Sequence, residues 1–263
     1  MHVARLNAFT GPQALGNPAG VVLLDAPLPA QQMQAVARIV GYSETAFVWP
    51  EADGYRLRWF TPAVEVPLCG HATLASAFAI RRAGAAPEVL RFHTLSGLLT
   101  AQTSGDWIEL DFPASPPEDV PVPLEIEAAL GVKVKSAAKS MKWVLELSDA
   151  EAVQRVRPDH SALKRAETTI SVGITARGQP PYDYVCRNFA HYAGIPEDPA
   201  TGSLQCVLAP YWAKRLCKTE LLAYQASERG GVLRVRLDGA RVKIAGQVSA
   251  DEPLEIDVSK LSC

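Results

Sequence analysis

Two spacings of hydrophobic positions occur along the chain, and together they predict a mixture of helices and strands. Apolar residues at helical spacing predict an amphipathic helix at Ala30–Val40 that ends at Gly41. Runs of apolar and β-branched residues predict a strand pair at Thr45–Trp49 and Tyr55–Phe60, with a turn at Asp53-Gly54.

Two further helices, at Ala72–Arg82 and Ser203–Leu216, are apolar on nearly every face, which is typical of buried helices. Shorter helices are predicted at Glu125–Leu130 and Ala150–Val156. Other segments are predicted to be extended: Val3–Phe9, Gly20–Leu24, Val89–Thr94, Leu98–Thr103, Trp107–Phe112, Lys142–Leu147, Thr168–Ala176, Tyr182–Asn188, Leu221–Gln225, Val232–Leu237 and Val242–Gly246. Because strands and helices mix with many hairpins, we expect an α+β fold and not a doubly wound parallel sheet.

A proline-rich segment divides the chain. Residues 113–123 contain five prolines in eleven positions, which excludes a helix interior or a central strand and predicts a stiff extended linker. We therefore expect an N-terminal lobe at residues 1–115 and a C-terminal lobe at residues 116–263, whose last strand can return to the first lobe.

The two halves also resemble each other. Glu65 stands five residues before Gly70 at the start of one buried helix, and Glu197 stands five residues before Gly202 at the start of the other. A repeat of this length predicts a duplicated domain and not a solenoid.

Composition limits the class of protein. Of 263 residues, 48% are hydrophobic and 21% charged, which is typical of a globular protein. The 26 basic and 28 acidic residues give a net charge of −2 without a basic cluster, so we expect no nucleic-acid partner. No apolar run reaches the ~20 residues that span a bilayer, and the first residues lack a signal-peptide pattern. We expect a cytoplasmic protein without a membrane partner.

Cysteine and histidine spacing gives no sign of a metal. The five cysteines form no CxxC pair, the five histidines form no HExxH pattern, and reduced thiols are expected. Glycine-rich phosphate-binding motifs are also absent. We therefore expect no metal and no cofactor. Any catalysis would then be performed by side chains.

Both buried helices start at a turn that could bind an anion. Cys69-Gly70-His71 opens one helix and Thr201-Gly202-Ser203 opens the other, and free N–H groups and the helix dipole favour negative charge there. Each turn alone is better explained as an ordinary strand-to-helix connection with capping residues. As a matched pair in a duplicated chain they favour substrate binding.

Glu44 lies where a predicted helix ends and an apolar strand begins. It is either a solvated turn carboxylate or one held away from water, which could transfer protons near neutral pH. Asn17 and Asp198 are explained equally well as turn residues, His71 as a helix-start residue and Cys69 as a small buried hydrophobe.

Taken together, five segments resemble the phenazine-biosynthesis isomerase (PhzF-type) family over essentially the whole chain. They are Gly16-Asn17-Pro18-Ala19-Gly20-Val21-Val22, Tyr42-Ser43-Glu44-Thr45-Ala46-Phe47-Val48, Arg58-Trp59-Phe60-Thr61-Pro62, Cys69-Gly70-His71-Ala72-Thr73 and Gly194-Ile195-Pro196-Glu197-Asp198-Pro199-Ala200-Thr201-Gly202-Ser203. The resemblance implies a diaminopimelate-epimerase-like fold, with two pseudo-symmetric domains that each wrap a mixed sheet around a central helix and an active site between them. It also implies a homodimer and a cofactor-independent isomerase of a small carboxylate.

The same resemblance implies roles for individual residues. Glu44 takes the place of the catalytic acid and base, and His71 and Asp198 take the places of residues that assist it and orient substrate. The expected substrate-binding residues are Asn17, Ser43, Gly70, Thr73, Gly202 and Ser203.

One departure bears on the reaction. Epimerases of this fold are expected to use two facing cysteines, whereas this chain has Cys69 on one helix turn and Thr201 on the other. Threonine is no base at neutral pH, which favours one-base isomerisation through Glu44. Two alternatives remain, a two-base epimerase that uses Cys69 with Glu44 or Asp198 and a non-catalytic binding protein of the same fold. No GxSxG motif or triad order suggests a hydrolase.

Overall fold

The computed structural model describes residues 1–84, 87–166, 170–257 and 259 and has the expected α+β fold. It divides into two compact units. Unit 1 comprises residues 1–10, 16–111 and 245–263, and unit 2 comprises residues 11–15 and 112–244. Within the described ranges, no helix combines the length and the apolar character needed to cross a membrane.

The elements of the first half, in chain order, are β1 (His2–Thr10), β2 (Asn17–Leu23), α1 (Ala30–Val40), β3 (Glu44–Glu51), β4 (Gly54–Phe60), β5 (Glu65–Val66), α2 (Gly70–Ala83), β6 (Val89–Thr94), β7 (Gly97–Ser104) and β8 (Trp107–Pro113). Those of the second half are β9 (Glu118–Val120), α3 (Leu124–Leu130), β10 (Ser136–Lys139), β11 (Trp143–Glu146), α4 (Ala150–Arg155), α5 (His160–Ala166), β12 (Val172–Arg177), β13 (Tyr184–Ala190), a 3₁₀ turn at His191–Ala193, β14 (Ile195–Asp198), α6 (Gly202–Leu216), β15 (Glu220–Gln225), β16 (Gly231–Asp238), β17 (Arg241–Ala250) and β18 (Leu254–Glu255).

The strands of unit 1 close into a barrel. β1 pairs antiparallel with β2, β2 parallel with β3, β3 antiparallel with β4 and β4 parallel with β6. β6, β7 and β8 continue antiparallel, and β17 pairs with both β8 and β1, which leaves no open edge in this ring. Helix α2 packs against β1, β2, β3 and β7, so it is the central helix of the unit.

Unit 2 repeats this order of pairings. β10 pairs antiparallel with β11, β11 parallel with β12, β12 antiparallel with β13, β13 parallel with β15 and β15 antiparallel with β16. The short strand β14 pairs with β13 as β5 pairs with β4, and α6 packs against β15 and β16. Two pseudo-symmetric domains, each with a mixed sheet around a central helix, are thus confirmed.

Both central helices contain residues that a buried helix usually avoids. In α2, the hydroxyl groups of Thr73 and Ser76 donate to carbonyl oxygens one turn earlier, at 2.6 and 2.7 Å, so neither hydroxyl is unsatisfied in the core. In α6, Pro210 has no N–H for the carbonyl of Cys206, which instead accepts a hydrogen bond of 2.9 Å from the N–H of Ser115.

The proline-rich segment 113–123 is not a free linker. It is extended as predicted, but β9 within it pairs with β10, and Val120 and Val122 pack against the hydrophobic core of unit 2. Prolines on both sides of β9 are compatible with a short edge strand. The predicted strand at Thr168–Ala176 begins outside the described residues, which resume at residue 170, and β12 starts at Val172.

Candidate active site

Glu44 and His71 meet in unit 1. Glu44 is the first residue of β3, where the parallel pairing with β2 places it opposite Ala19, and His71 is the second residue of α2. The Nε2 atom of His71 lies 3.3 Å from Oε2 of Glu44. The imidazole is buried and the Glu44 side chain is 20% exposed, so this carboxylate is mostly shielded from solvent.

The distance between these two atoms is within the range of an ion pair, but the geometry is not that of a hydrogen bond. Oε2 of Glu44 is buried, and no described residue forms a hydrogen bond with it. A buried carboxylate oxygen without a hydrogen bond is costly in free energy, so Oε2 of Glu44 is a candidate atom for binding a ligand.

Asn17 contacts the imidazole of His71 at its other ring nitrogen, Nδ1. Its Nδ2 atom lies 3.3 Å from Nδ1 of His71. With the amide oriented so that it donates to Nδ1, the ring proton is on Nε2 and faces Glu44. Gly16 leads into this position with a φ of +72°, and a Cβ there would lie 2.3 Å from the carbonyl oxygen of Ala8. Glycine is therefore required before Asn17.

Cys69 completes this group. It precedes α2, and its Sγ atom lies 3.5 Å from Nδ1 and 3.9 Å from Nε2 of His71. One ligand atom each from Glu44, Cys69 and His71 lie within 4.8 Å of one another. The thiol is buried and lies beside the imidazole.

Three other candidates of unit 1 have different surroundings. Gly70 is the first residue of α2, and Ser43 lies one residue before β3, where its buried Oγ has no hydrogen-bond partner among the described residues. The hydroxyl of Thr73 donates to the carbonyl of Cys69, so it stabilises the first turn of the helix.

In unit 2, Asp198, Gly202 and Ser203 surround the start of α6. Asp198 ends β14, and its Oδ2 atom accepts a hydrogen bond of 2.6 Å from the hydroxyl of Thr201. Gly202 and Ser203 are the first two residues of α6. The threonine that occupies the mirrored place of Cys69 therefore orients a carboxylate.

Gln225, which sequence analysis did not select as a site residue, fixes this turn. Its fully buried side chain accepts a hydrogen bond of 2.8 Å from the N–H of Thr201 and donates to the carbonyl of Asp198 at 2.6 Å and to the hydroxyl of Thr201 at 3.1 Å. It ends β15, so only the fold brings it to α6.

Neither central helix is capped by the side chain of the residue that precedes it. The preceding residues are Cys69 for α2 and Thr201 for α6, and neither side chain accepts a hydrogen bond from the first turn. The helices have 14 and 15 residues, so each N-terminus has a substantial dipole that favours an anion.

The duplicated strands show which residue replaces Glu44 in unit 2. Thr45 pairs with Phe60 in unit 1 and Val172 pairs with Phe189 in unit 2, so the residue before Val172, Ser171, is the counterpart of Glu44. Its hydroxyl accepts a hydrogen bond of 2.7 Å from the buried ammonium of Lys142. Only unit 1 has an acid at this position.

The barrel and the repeated topology define the class of the fold. A predicted epimerase from Pseudomonas aeruginosa, 21% identical, has the same fold with a TM-score of 0.72 over 97% of this chain and 98% of that one. The chain therefore has an epimerase-like α+β fold.

Residues 6–251 match the phenazine biosynthesis-like protein family, PhzC-PhzF, and the chain belongs to that family. The crystal structure of a PhzF-family protein from Enterococcus faecalis, 41% identical, superposes with a TM-score of 0.92 and covers 96% of this chain and 98% of that one. An uncharacterized isomerase of P. aeruginosa is 46% identical over 92% of this chain and 93% of its own length.

Proposed function

We propose that the protein is a cofactor-independent isomerase of a small carboxylate and that Glu44 is its proton carrier. The observation that supports this most directly is the buried Oε2 atom of Glu44, which has no hydrogen bond from the described residues and lies 3.3 Å from Nε2 of His71. A carboxylate in this setting is able to take a proton from an activated C–H group and to return it.

The absence of a second acid at the mirrored position favours one-base chemistry. The counterpart of Glu44 is Ser171, which Lys142 holds, and the counterpart of Cys69 is Thr201, whose hydroxyl donates to Asp198. Glu44 accordingly removes the proton from one carbon and, now protonated, delivers it to another carbon on the same face of the substrate. The double bond of the substrate shifts as the proton moves.

Negative charge that develops on the substrate needs stabilisation. In unit 1 the N-terminus of α2, at Gly70 and His71, offers backbone N–H groups for this purpose. In unit 2 the N-terminus of α6, at Gly202 and Ser203, offers groups of the same kind. One such donor contributes about 3–4 kcal/mol to transition-state stabilisation in other enzymes. His71 orients the base, and Asn17 contacts its imidazole. Asp198 is the candidate in unit 2 for orienting a carboxylate substrate.

The names of relatives are compatible with this proposal. Two curated relatives, from P. aeruginosa and Halalkalibacterium halodurans, carry the name uncharacterized isomerase at 46% and 41% identity. Small carboxylates are the natural class of substrate to test, because in unit 1 the N-terminus of α2, which favours an anion, lies beside a basic carboxylate.

The proposal is tested by hydrogen exchange. Small unsaturated and amino carboxylates are incubated with the protein in deuterated water, and NMR follows the exchange of their C–H protons. Glu44→Gln is expected to lower the rate of exchange by about 10²–10⁴-fold, the usual contribution of a general base. Glu51→Gln is the matched control, since Glu51 ends the same strand but pairs with Arg56 at 2.7 Å.

Each result has a clear meaning. Loss of exchange in Glu44→Gln alone, with an unchanged melting temperature, supports Glu44 as the base, and undiminished exchange in that variant removes Glu44 from this role. The contact between Cys69 and His71 keeps a two-base epimerase as the second candidate. That reaction inverts the carbon from which the proton is removed, so chiral analysis of the product distinguishes it from a double-bond shift.

A further inference from the structure

We propose that Asn188 is a specificity-determining residue in unit 2, whose side-chain amide accepts a hydrogen bond from a hydroxyl or ammonium group of a small carboxylate. This role rests on the proposed function, because the carboxylate is the substrate of the proposed isomerase. Asn188 is 1% exposed, and its Oδ1 atom forms no hydrogen bond with the described residues. Buried amide oxygens are nearly always paired, so this atom is a candidate for binding a ligand.

The alternation of side chains along β13 directs Asn188 towards α6. The next residue, Phe189, packs in the hydrophobic core that includes Leu163 of α5. Because successive side chains of a strand point to opposite faces, Asn188 lies on the other face of the sheet. Gly173 pairs with Asn188 and identifies what covers that face, since a Cβ at Gly173 would lie 2.6 Å from Cδ1 of Leu204, the third residue of α6.

Two side chains on the same face of β13 show which part of α6 lies beside Asn188. The ring of Tyr184 stacks with that of Trp212, in the C-terminal half of the helix, with 5.9 Å between the ring centroids. Two residues later, Sγ of Cys186 lies 3.9 Å from Nε2 of Gln205, near the start of the helix. The strand therefore runs towards the N-terminus of α6, and Asn188, the next residue on this face, lies beside the first turn.

Asp198 is the neighbour of Asn188 in the sheet. The two residues are directly paired in the antiparallel ladder of β13 and β14, and such side chains lie on one face with Cβ atoms about 4.5–5.5 Å apart. Oδ2 of Asp198 accepts the hydroxyl proton of Thr201. A carboxylate and an amide oxygen are both acceptors, so together they favour a ligand group that carries N–H or O–H protons.

The start of α6 favours a different group of the same ligand. Gly202 and Ser203 begin the helix, whose dipole favours an anion at this end. Asp198 and Ser203 are only partly buried, so the turn is open to a small molecule. The favoured ligand is a hydroxy or amino carboxylate, with its carboxylate at the helix N-terminus and its donor group at Asn188.

Two substitutions separate this role from a structural one. Asn188→Leu keeps the approximate size of the side chain but removes the acceptor, so binding of a donor-bearing carboxylate should weaken at least about 10-fold. The same change removes an unsatisfied buried oxygen, so the melting temperature should rise by about 2–4 °C. Asn188→Asp keeps an acceptor at this position and should retain binding of the donor-bearing carboxylate.

Binding is measured without turnover, in full-length protein that carries Glu44→Gln. The probes are butanoates with a hydroxyl, an ammonium or a methyl group at carbon 2 or carbon 3. NMR titration follows the backbone amides of Gly202 and Ser203. We expect a hydroxyl or ammonium member to bind at least about 10-fold more tightly than its methyl counterpart, and Asn188→Leu to abolish this preference. The comparison of the hydroxyl and ammonium members identifies the donor group.

Three results would overturn the role of Asn188. They are a protein with Asn188 intact that does not prefer any donor-bearing member, an Asn188→Asp variant that loses the preference as Asn188→Leu does, and a melting temperature that falls in Asn188→Leu.

Hydrogen exchange in deuterated water separates this outcome from failure of the proposed function. Exchange that depends on Glu44, without a donor preference, leaves the isomerase proposal standing and removes only the role of Asn188. A donor preference that depends on Asn188, in a chain that exchanges none of these probes, supports the binding role and counts against isomerase chemistry on them.

Discussion

Arg187 and Glu197 form an ion pair with two parallel hydrogen bonds of 2.8 Å each. Arg58 and Glu65 form the same pair in unit 1, with two bonds of 2.7 Å. Each guanidinium also lies over a phenylalanine ring two residues further along its strand, at 5.0 Å for Arg187 and 5.2 Å for Arg58. The domain duplication has therefore kept an ion pair that fixes the short strand before each central helix.

Loss of the ion pair should lower the free energy of unfolding more in unit 2 than in unit 1. Arg187 is 8% exposed and also donates to the carbonyl of Val156 at 2.7 Å, whereas Arg58 and Glu65 are each 25% exposed. Glu197→Gln leaves a buried guanidinium without its counter-ion, so we expect a loss of about 3 kcal/mol in the free energy of unfolding. Glu65→Gln should cost about 1 kcal/mol because solvent screens the remaining charge.

Urea denaturation of the two variants and the wild type measures this difference. Equal losses in both variants would show that burial does not determine the strength of the pair. A loss in Glu197→Gln below that in Glu65→Gln would contradict the argument outright.

Glu65 and Glu197 also show which features of the fold can be predicted from the sequence. Their matched spacing before Gly70 and Gly202 pointed to a duplication, and the repeated pairings of the strands confirm it. The boundaries of α1 agree with the predicted Ala30–Val40, because Gly41 adopts the left-handed conformation that ends the helix. Local patterns of this kind depend on residues that are close in sequence, so they can be recognised from the sequence alone.

Contacts between distant elements were not predictable in the same way. Gln225 ends a strand 24 residues after Thr201, and only the packing of that strand beside α6 explains its three hydrogen bonds. The closeness of Cys69 and His71 to Glu44 likewise depends on where α2 lies in the barrel. The roles of Glu44, His71 and Asp198 came from a resemblance, and they stay predictions until variants are measured, as does the homodimer.

A buried acid in unit 2 predicts how stability depends on pH. Glu146 accepts hydrogen bonds from Lys135 at 2.6 Å and from the hydroxyl of Tyr211 at 2.7 Å. Burial alone would raise the pKa of Glu146, but these two bonds, together with the charges of Lys135 and Arg215, hold the pKa below its ordinary value of 4.5. The ionised form is therefore favoured in the folded state.

The lowered pKa of Glu146 determines how its contribution to the free energy of unfolding changes with pH. A carboxyl whose pKa is lower in the folded state stabilises the protein above its unfolded pKa, near 4.5, and loses this contribution as the pH falls through its folded pKa. Glu146→Gln should lower the free energy of unfolding at pH 7 by about 1–3 kcal/mol. The difference from wild type should shrink as the pH falls below about 4.5.

Denaturation curves between pH 3 and 7 test this prediction, with Glu151→Gln as the control. Glu151 pairs with Arg155 on the surface of α4, where both side chains are 69% exposed, so its loss should have little effect at any pH. A destabilisation by Glu146→Gln that stays constant down to pH 3 would contradict the argument.

Three cysteines of unit 2 should differ sharply in their reactivity towards alkylating reagents. Burial raises the pKa of the Cys186 thiol to about 12 and that of the Cys206 thiol to about 12, whereas Cys217 is exposed. At pH 8, a thiol with a pKa of about 12 is ionised in only about one molecule in 10⁴, and burial also excludes the reagent. Native protein should therefore react at Cys217 while Cys186 and Cys206 stay unmodified.

Peptide mass spectrometry after timed exposure to iodoacetamide measures each site separately, in a Cys263→Ser background that removes the thiol outside the described residues. Because Cys206 lies on the central helix α6 and Cys186 on β13, their modification requires unit 2 to open. Their rates should rise together as urea approaches the unfolding midpoint, while the rate at Cys217 changes little. Modification of Cys186 or Cys206 in native buffer as fast as that of Cys217 would show that this core is open to solvent.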